Sequence, residues 1–467
     1  MTADATTLDD AGPGPAEAHA EELGGALAAD GVRGVALCYV DTAGVTRVKG
    51  VPVSGLPSAV RRGVGMSPVF DTFLADDSIV TTDVLGGPDG DLRLFPDLSR
   101  LVALAAQPGW AWAPVDRRQQ DGEPHPGCSR TFLRRMAARA DEAGIAVRAA
   151  IEIEWVLGRD DVPPGEFAPA TSGPAYGMTR VVEQSELTAD LLGALAGQGV
   201  DVLQLHPEYA PGQFELSVDA LDPLAAADLS VLVRQTIRAV ARRHGLRVSF
   251  SPSVVAGSVG NGGHVHLSAW RDGASLHAGG EGPYGLTRDG EAFVAGLLRE
   301  LLPLCGLATP SPASLLRLQP SHWAGVFTCW GHEAREAAVR LVTGLAGDEP
   351  RAANVEVKCA DLAANPYLLI GGLIAAGVAG VEDGLRLPPE TTGDPAALPE
   401  EEREKRGIVR LPTDLGGVVD HFAGSELLRE ALGPVLADAV VAVRRGEAAR
   451  MAGAEPAAVA AAYRWVY

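Results

Sequence analysis

The sequence Ile151-Glu152-Ile153-Glu154-Trp155 places two carboxylates at alternate positions between apolar side chains. Successive side chains of a β-strand point to opposite faces, so both carboxylates are expected on one face of a strand. Ionised carboxylates that are buried side by side repel each other and lose their hydration. The pair therefore faces bulk solvent or holds a cation between its members, and taken alone it does not decide between the two.

Two further segments carry acidic or imidazole side chains in compatible patterns. The segment His264-Val-His266-Leu-Ser268 repeats the alternation, which places both histidines and the serine on one face of a strand. The segment from His206 to Glu215, HPEYAPGQFE, places Glu208 and Glu215 on either side of a Pro-Gly turn, from which both could point into one cavity. Exposed turn carboxylates and a hydrogen-bonded core histidine are the ordinary alternatives. Three such segments in one chain favour a metal site.

The type of ligand indicates the metal. Carboxylate oxygens with a single imidazole at each site suit Mg²⁺ or Mn²⁺, whereas zinc more often binds cysteine or several histidines. The five cysteines lie far apart and form no Cys-x-x-Cys pair: Cys38, Cys128, Cys305, Cys329 and Cys359. They predict neither a disulfide scaffold nor a zinc ribbon, and they fit a reducing cytoplasm. A magnesium site in turn suggests a phosphate-bearing substrate.

Charge and hydropathy exclude several classes of partner. The 467-residue chain has 60 acidic and 39 basic residues and a formal net charge of −21, which disfavours nucleic acid and anionic membranes. Its longest apolar run, residues 367–381, is shorter than the roughly 18 residues that suggest a membrane span. It follows Asn365-Pro366, as a buried helix would. Residues 1–22 lack the basic start and apolar run of a signal peptide, so we predict a loose tail there and a cytoplasmic protein.

Length and pattern predict an α+β protein with two unequal domains. The predicted boundaries are a tail at 1–22, a small N-terminal sheet domain at 23–118, a linker around 119–127 and a larger domain at 125–467. Within the larger domain, periodicity and capping residues predict helices at 129–142, 187–196 and 225–244 and strands at 147–157, 200–205 and 246–250. Residues 387–406 are rich in proline and glutamate and are predicted to form an exposed loop.

Taken together and in this order, the motifs resemble the glutamine synthetase family across nearly the whole chain after the tail. The matching blocks are Glu-x-Glu at 152–154, HPE and PGQFE within 206–215, GNGGHVHLS at 260–268, RLQP from Arg317, the arginines Arg335 and Arg340, and EVKCADLAANPY at 356–367. The pattern is of type I and is nearest to members that make γ-glutamyl amides of polyamines or ethanolamine. The resemblance implies an N-terminal β-grasp domain and a larger catalytic domain whose antiparallel sheet lines the active site. It also implies a ring-shaped homo-oligomer, a dodecamer in the family, with active sites between neighbouring subunits.

The resemblance also implies a reaction and a role for each matching residue. Members use ATP to phosphorylate the γ-carboxylate of glutamate, and an amine then attacks the acyl phosphate. Two or more Mg²⁺ or Mn²⁺ ions at each active site would neutralise the phosphates. One ion would be held by Glu154, Glu208 and Glu215, and another by Glu152, His264 and Glu356. The nucleotide would contact His266, Ser268 and Arg340, the transferring phosphoryl group would contact Arg335, and glutamate would contact Arg317, Gly260 and Lys358.

The departures from the family pattern affect the amine site first. Trp323 stands where ammonia-using members carry a glutamate that closes the ammonium site. Residues 66–69, Met-Ser-Pro-Val, stand where those members carry a Phe-Asp-Gly-Ser block, although Asp71 could be its displaced acid. An ammonium ion needs negative charge around it, whereas an aromatic wall favours an amine with a carbon skeleton.

Other departures concern the remaining substrates. Lys358 and Asn354 each replace an arginine, at the glutamate clamp and near the nucleotide, and Val259 replaces an asparagine before the glycines. Lysine cannot reproduce a bidentate carboxylate contact, so the acyl substrate itself is in question. The segment 394–399 lacks the tyrosine that some bacterial members present for adenylylation, so that control is predicted to be absent.

Three hypotheses follow. The first is an ATP-dependent ligase that joins glutamate to an organic primary amine such as ethanolamine or a polyamine, with Glu208 as the remaining acceptor for the proton of the amine. The second is ordinary ammonia-dependent glutamine synthesis. The third is a scaffold or regulatory relative that has lost turnover. The complete set of six metal-ligand positions argues against the third hypothesis, while Lys358 and Asn354 keep it open.

Overall fold

The N-terminal domain is a six-stranded sheet with two helices packed against it. The computed structural model describes residues 14–163 and 165–467, and the elements of this domain are α1 (Pro15–Ala29), β1 (Gly34–Val40), β2 (Thr46–Pro52), α2 (Leu56–Arg62), β3 (Val64–Met66), β4 (Leu92–Pro96), β5 (Val102–Ala103) and β6 (Trp110–Arg118). The strand order is β2-β1-β6-β4-β3, with β5 also paired to β6, and β1 and β6 run parallel. Alternate residues of β1, namely Val35, Leu37 and Tyr39, enter the domain core, as the two-residue period of a strand requires. The predicted N-terminal sheet domain is confirmed.

Helix α1 includes part of the segment that was predicted to be a loose tail. Residues 1–13 lie outside the described residues, but the chain is helical from Pro15, with a proline at the first helical position and Glu17 in the first turn. Ala20 and Gly24, four residues apart on one helix face, are buried. The prediction of a loose tail at 1–22 is therefore wrong from residue 15 onward, because these small residues let the helix pack closely on the domain.

The larger domain contains two sheets surrounded by helices. In chain order, its first elements are α3 (Ser129–Glu142), β7 (Ala146–Ile151), β8 (Ile153–Arg159), α4 (Met178–Glu183), α5 (Ser185–Gly197), β9 (Val202–Pro207), β10 (Gln213–Val218), α6 (Pro223–Arg243), β11 (Leu246–Ser249), β12 (Val265–Arg271) and β13 (Ala274–Ser275). The chain continues through α7 (Arg288–Arg299), α8 (Leu301–Ala308), α9 (Pro312–Arg317), β14 (Trp330–His332), β15 (Val339–Val342), α10 (Glu349–Ala352), β16 (Asn354–Val357), α11 (Pro366–Glu382), α12 (Glu400–Lys405), α13 (Leu415–Gly424), α14 (Glu426–Leu432), α15 (Pro434–Arg450) and α16 (Pro456–Tyr463). One sheet has the order β11-β8-β10-β9, and the other has the order β13-β12-β16-β15-β14 with β7 also paired to β12. The predicted α+β class is confirmed.

The predicted strand at 147–157 is divided into two. β7 ends at Ile151 and pairs with β12, whereas β8 begins at Ile153 and pairs with β10 and β11. Glu152 lies at the break, and its backbone N–H donates to the carbonyl of His264 at 3.0 Å. A local alternation pattern does not show such a change of partner, because each half of the segment alternates correctly by itself.

Helix α11 is the centre of the hydrophobic core. Its residues from Pro366 to Gly380 are buried, and a helix that is apolar on all sides has to be surrounded by protein. It packs closely on α7: a Cβ built on Gly380 would lie 2.3 Å from the carbonyl oxygen of Ala292, so a larger residue could not be accommodated there. The predicted buried helix at 367–381 is confirmed. No helix in the described part of the chain is both long enough and apolar enough to span a membrane.

Buried polar contacts join the two domains. Arg130 of α3 is only 3% exposed, and its guanidinium contacts Asp228 of α6 at 2.8 Å, Asp97 at 2.6 Å and Asp116 at 2.9 Å. Asp97 and Asp116 belong to the N-terminal domain. Asn365, the N-cap of α11, donates from Nδ2 to the carbonyl oxygen of Val40 at 3.0 Å in the same domain. These contacts fix the orientation of the small domain on the large one.

Other predicted elements agree with the structure except in one loop. The helices predicted at 129–142, 187–196 and 225–244 correspond to α3, α5 and α6, and the strands predicted at 200–205 and 246–250 correspond to β9 and β11. The predicted loop at 387–406 contains the helix α12 at Glu400–Lys405, which has three glutamates in its first turn and two basic residues in its last turn. This charge distribution favours a helix because it complements the helix dipole.

Candidate active site

Strand register brings the predicted carboxylates together. Glu154 on β8 lies directly opposite Glu215 on β10, and Glu215 lies opposite His206 on β9. Directly opposite side chains of antiparallel strands share one face, with Cβ atoms about 5 Å apart. Glu152 lies at the end of β7, beside β12, whose neighbour β16 carries Glu356 opposite His266. Two clusters therefore form where the two sheets meet.

The first cluster consists of Glu152, His264 and Glu356. The Nδ1 atom of His264 lies 2.7 Å from a carboxylate oxygen of Glu152 and 3.3 Å from a carboxylate oxygen of Glu356. Lys358 donates from Nζ to Glu356 at 3.0 Å, and Arg340 donates from Nη1 to its other oxygen at 3.0 Å. One ligand atom from each member of the cluster lies within 4.8 Å of the others. The structure thus brings together the three residues that were predicted as one ligand set.

The second cluster consists of His206, Glu208 and Glu215, with Glu154 beside it. The Nδ1 and Nε2 atoms of His206 lie 3.3 Å from Glu208 and 3.4 Å from Glu215. The hydroxyl of Tyr176 donates to the same oxygen of Glu208 at 2.5 Å. Glu154 accepts from Nε2 of Gln213 at 2.9 Å. Sequence reasoning quoted His206 within its motif but did not name it as a ligand. Its position two residues before Glu208, on the strand that pairs with Glu215, was the signal.

The glycine at 262 is required by the close approach of these groups. A Cβ built there would lie 2.6 Å from a carboxylate oxygen of Glu154 and 2.6 Å from Nε2 of His264. The same two side-chain atoms approach each other to 4.0 Å, so Gly262 lies where the two clusters meet. Any larger residue would separate them.

Electrostatics differ between the two clusters. Burial, together with the charges of Glu215 and Glu208, raises the pKa of Glu154 to about 8, and burial also raises the pKa of Glu215. Hydrogen bonds to both neighbouring carboxylates raise the pKa of His206 to about 10. Without a cation, therefore, this cluster retains protons that isolated carboxylates would lose. Such a group of oxygen ligands fits a divalent cation, which would replace those protons.

In the first cluster, internal positive charge already balances the carboxylates. Burial raises the pKa of Glu152, but His266 and His264 outweigh this effect and hold the pKa well below its ordinary value. In the same way, Lys358 and the two histidines lower the pKa of Glu356 to about 2 despite burial. Burial and the charge of Lys358 lower the pKa of His264, which favours the neutral imidazole that a metal ligand requires. The first cluster thus presents deprotonated ligands, whereas the second would lose protons when a cation binds.

A cavity of about 730 Å³ connects the two clusters with the other predicted substrate residues. The residues that line it include Glu152, Glu154, Tyr176, His206, Glu208, Tyr209, Glu215, Gly260, His264, Arg317, Trp323, Arg335, Arg340, Glu356 and Lys358. All the predicted metal and substrate positions except His266 and Ser268 therefore line this one cavity.

His266 and Ser268 do not line this cavity. The Nε2 atom of His266 lies 3.0 Å from a carboxylate oxygen of Glu152, and its Nδ1 atom lies 2.8 Å from Oδ1 of Asn354. Ser268 is buried, and its hydroxyl accepts from Nε1 of Trp270 at 2.9 Å. Asn354 thus places a neutral amide next to His266, where an arginine would place a positive charge. The predicted nucleotide contacts of His266 and Ser268 stay predictions.

The predicted glutamate-binding residues are held by internal contacts. Arg317 is buried, and its Nη2 donates to the backbone carbonyls of Lys358, Cys359 and Ala360 at 2.7–3.0 Å. A Cβ on Gly260 would lie 2.6 Å from Cγ of Arg317, so the glycine lets the arginine pass beneath it. Arg317 therefore fixes the end of β16 and supplies positive charge near Glu154.

The structure does not support Asp71 as a displaced acid of the amine site. Its side chain is 1% exposed, accepts from Nη1 of Arg117 at 2.6 Å and lies 3.0 Å from Nε2 of His125. Burial raises the pKa of Asp71, but Arg117 and His125 outweigh this effect and lower it. The carboxylate of Asp71 is thus held by Arg117 and His125 and is not available to bind an amine.

Comparisons with known proteins cover the whole described fold. The family model described as "Glutamine synthetase, catalytic domain" matches residues 126–460, and the one described as "Glutamine synthetase N-terminal domain" matches residues 25–125. The chain is 63% identical to γ-glutamylpolyamine synthetase GlnA3 of Streptomyces coelicolor over 456 residues, which cover 97% of this chain and 98% of that protein. It is 28% identical to a glutamine synthetase of Methanocaldococcus jannaschii, over 88% of this chain and 90% of that one.

Two solved structures are also similar. A crystal structure described as a novel glutamine synthase homolog has a TM-score of 0.83 and 32% identity, and covers 93% of this chain and 99% of its own. A structure of GmaS in complex with ADP has a TM-score of 0.80 and 27% identity, and covers 92% of this chain and 96% of its own.

Proposed function

This chain belongs to the glutamine synthetase family, and we propose that it uses ATP to join the γ-carboxyl group of glutamate to a primary amine of a polyamine. The observation that carries the choice of amine is Trp323, which places an indole in the cavity that contains the carboxylate clusters. The similarity to a γ-glutamylpolyamine synthetase over nearly the full length supports the same substrate class.

The two clusters would hold divalent cations and the phosphates of ATP. Glu154, Glu208 and Glu215 would bind one ion, with His206 within reach of the same position, and Glu152, His264 and Glu356 would bind another. When bound, such ions neutralise phosphate charge during in-line transfer. We propose Mg²⁺ or Mn²⁺, because oxygen ligands dominate both sets.

In the first step, an oxygen of the γ-carboxylate of glutamate attacks the γ-phosphorus of ATP, and the bond to the bridging oxygen breaks to release ADP. The guanidinium of Arg335 lines the cavity and contacts Trp323, at 5.8 Å from the ring centroid. Within the described part of the chain it makes no hydrogen bond or ion pair, so it is free to approach the phosphoryl group. Arg340 is instead fixed by Glu356 at 3.0 Å and Glu333 at 2.6 Å, which suits a static phosphate contact.

In the second step, the amine nitrogen attacks the acyl carbon, the bond to the phosphate oxygen breaks, and phosphate leaves. The nitrogen must also lose a proton. Glu208 is the proposed acceptor, because it is buried at the cavity wall and its oxygen is oriented by the Tyr176 hydroxyl at 2.5 Å. An aromatic wall favours an amine with a carbon chain, since each buried methylene contributes about 0.8 kcal/mol.

Lys358 stands where the family pattern has the arginine of the glutamate clamp. Its Nζ donates to Glu356 at 3.0 Å and is buried. The ammonium has two further N–H donors that could bind a carboxylate of glutamate, but it cannot form the two parallel bonds of an arginine. We propose that a cation bound to Glu356 weakens the contact with Lys358 and leaves the lysine for the substrate.

The oligomeric state and the cellular compartment are also proposals. We propose a ring-shaped homo-oligomer, which light scattering coupled to size-exclusion chromatography would measure. The five cysteines are free and buried, as expected in a reducing compartment, so a cytoplasmic location is proposed.

The proposed function is tested by phosphate release with glutamate, ATP and Mg²⁺ in the presence of single amines. We expect release with diamines and polyamines, and each γ-glutamyl amide should be detected by mass spectrometry. Release with ammonia alone would instead identify an ordinary glutamine synthetase. No release with any amine, from protein that binds ATP, would favour a scaffold.

A further inference from the structure

Three exposed aromatic rings meet at near right angles beside the second carboxylate cluster. The ring of Tyr209 lies 5.8 Å from that of Tyr176 at an interplanar angle of 81°, and 5.2 Å from that of Trp323 at 85°. Tyr176 is 54% exposed, Tyr209 is 40% exposed and Trp323 is 45% exposed. Large rings at this exposure leave apolar and π-electron surface open to a ligand, and all three line the same cavity as the carboxylates.

Separate contacts hold the outer two rings in place. The Tyr176 hydroxyl donates to Glu208 at 2.5 Å, and the backbone N–H of Trp323 donates to Oε1 of Glu336 at 2.8 Å. Both residues have φ in the left-handed region, 55° for Tyr176 and 56° for Trp323, which bulky side chains rarely adopt. A strained backbone persists only where the surrounding structure imposes it, and such positions often serve ligand binding.

One cation already lies against this group of rings. The guanidinium carbon of Arg335 is 5.8 Å from the centroid of the Trp323 ring. The face of an aromatic ring carries negative electrostatic potential, which attracts ammonium and guanidinium groups. Rings arranged at right angles around a space present several faces to one cation, as in the aromatic cages that recognise substituted ammonium ions.

We propose that Tyr176, Tyr209 and Trp323 form a subsite for the second, unreacted ammonium group of a diamine or polyamine, with its methylene chain passing over Tyr209. This inference rests on the proposed function and extends it. The reacting amine lies beside Glu208, whose neighbour in the chain is Tyr209, so a short alkyl chain leads from the reacting nitrogen to the rings. The subsite explains recognition of a second positive charge without a second carboxylate.

Comparing a diamine with a monoamine separates recognition of the second charge from apolar contact with the methylene groups. A monoamine with the same number of carbons would gain the contact of its methylene groups with the rings but not the attraction of a second ammonium. The ratio of kcat/KM for 1,4-diaminobutane to kcat/KM for 1-aminobutane therefore isolates the proposed interaction. At an exposed site, one aromatic face contributes about two- to fivefold to such a ratio.

The test measures this ratio in the full-length protein with ATP, glutamate and Mg²⁺, for the unaltered chain, Tyr209→Leu and Tyr209→Phe. We expect the unaltered protein to prefer the diamine, Tyr209→Leu to lose about two- to fivefold of that preference, and Tyr209→Phe to retain it, since the ring face remains. The kcat/KM for 1-aminobutane in each variant is the denominator of the ratio, so any loss that affects both amines equally cancels.

Two results would overturn the inference while leaving the proposed function in place. One is equal kcat/KM for the diamine and the monoamine in the unaltered protein. The other is a ratio that Tyr209→Leu leaves unchanged. Failure of the unaltered protein to form an amide with either amine would instead overturn the proposed function, and the subsite with it.

Discussion

Replacing Glu154 with glutamine is expected to stabilise the metal-free protein, and more strongly as the pH rises. Glu154 is buried beside Glu215, and its pKa is raised from 4.5 to about 8 by burial and by the neighbouring carboxylates. The folded protein thus retains a proton on Glu154 up to about pH 8, whereas the unfolded chain loses it near pH 4.5. Because the folded state binds more protons over this range, its stability falls as the pH rises and levels off above the folded pKa.

The magnitude follows from the same pKa values. Each pKa unit is equivalent to about 1.36 kcal/mol, so the interval from 4.5 to about 8 corresponds to at most about 5 kcal/mol. Buried charges respond as if the local dielectric constant were about 20, which reduces the expected cost to about 2–3 kcal/mol. Glutamine keeps the shape of the side chain and can still accept the hydrogen bond from Gln213. It therefore removes the charge with little other change.

Urea unfolding in excess chelator, from pH 5 to pH 9, measures the effect. The free energy of unfolding of Glu154→Gln minus that of the unaltered protein should be below about 1 kcal/mol at pH 5 and should reach about 2–3 kcal/mol at pH 9. Glu186→Gln, an exposed carboxylate in the first turn of α5, is the matched control and should show no such trend. Mg²⁺ should stabilise the unaltered protein more than Glu154→Gln, because a cation that binds the folded state shifts the unfolding equilibrium. Parallel stability curves for the two proteins across this pH range would refute the argument that Glu154 lies in a cluster of repelling carboxylates.

Three further substitutions test other parts of the account. Arg335→Ala is expected to lower turnover about a hundredfold or more while ATP affinity changes little, because the guanidinium acts on charge that develops in the transition state; equal losses in both would make Arg335 a binding or structural residue. Trp323→Glu should shift the preference from organic amines toward ammonia, since it removes an apolar wall and adds the charge that concentrates ammonium; an unchanged product ratio in mass spectrometry would contradict this. Arg130→Ala should lower the free energy of urea unfolding by about 3–5 kcal/mol, since it removes the 2.8 Å ion pair of the buried Asp228 and leaves that carboxylate with only the Tyr367 hydroxyl and the more distant Arg100, at 4.0 Å; a loss below about 1 kcal/mol would show that Arg130 contributes no more than an exposed ion pair.

Local patterns in the sequence predicted the site better than they predicted its supporting structure. The alternation at Glu152 and Glu154 predicted one strand face, which the structure divides between two sheets, but Glu152 still meets His264 and Glu356 while Glu154 lies opposite Glu215. The glutamine synthetase resemblance is confirmed by the comparisons, and the prediction of a γ-glutamyl amide ligase agrees with the similarity to a γ-glutamylpolyamine synthetase. Both rest on short motifs whose chemistry depends on residue type and spacing.

What the sequence did not reveal depends on contacts between distant segments. Glu152 and Glu154 belong to different sheets because β7 pairs with β12 and β8 pairs with β10, and no local pattern specifies those partners. The three backbone carbonyls that accept from Arg317 are visible only after folding. The contact between Tyr209 and Trp323 joins residues more than 100 positions apart. Charge and periodicity describe single elements, whereas these features depend on their assembly.

The most direct test of the proposed function is a competition between ammonia and a polyamine in one reaction with glutamate, ATP and Mg²⁺, analysed by mass spectrometry. With both amines at equal concentration, the account predicts γ-glutamyl polyamine as the main product and little free glutamine. Free glutamine as the main product would contradict it and would identify the protein as an ammonia-dependent glutamine synthetase.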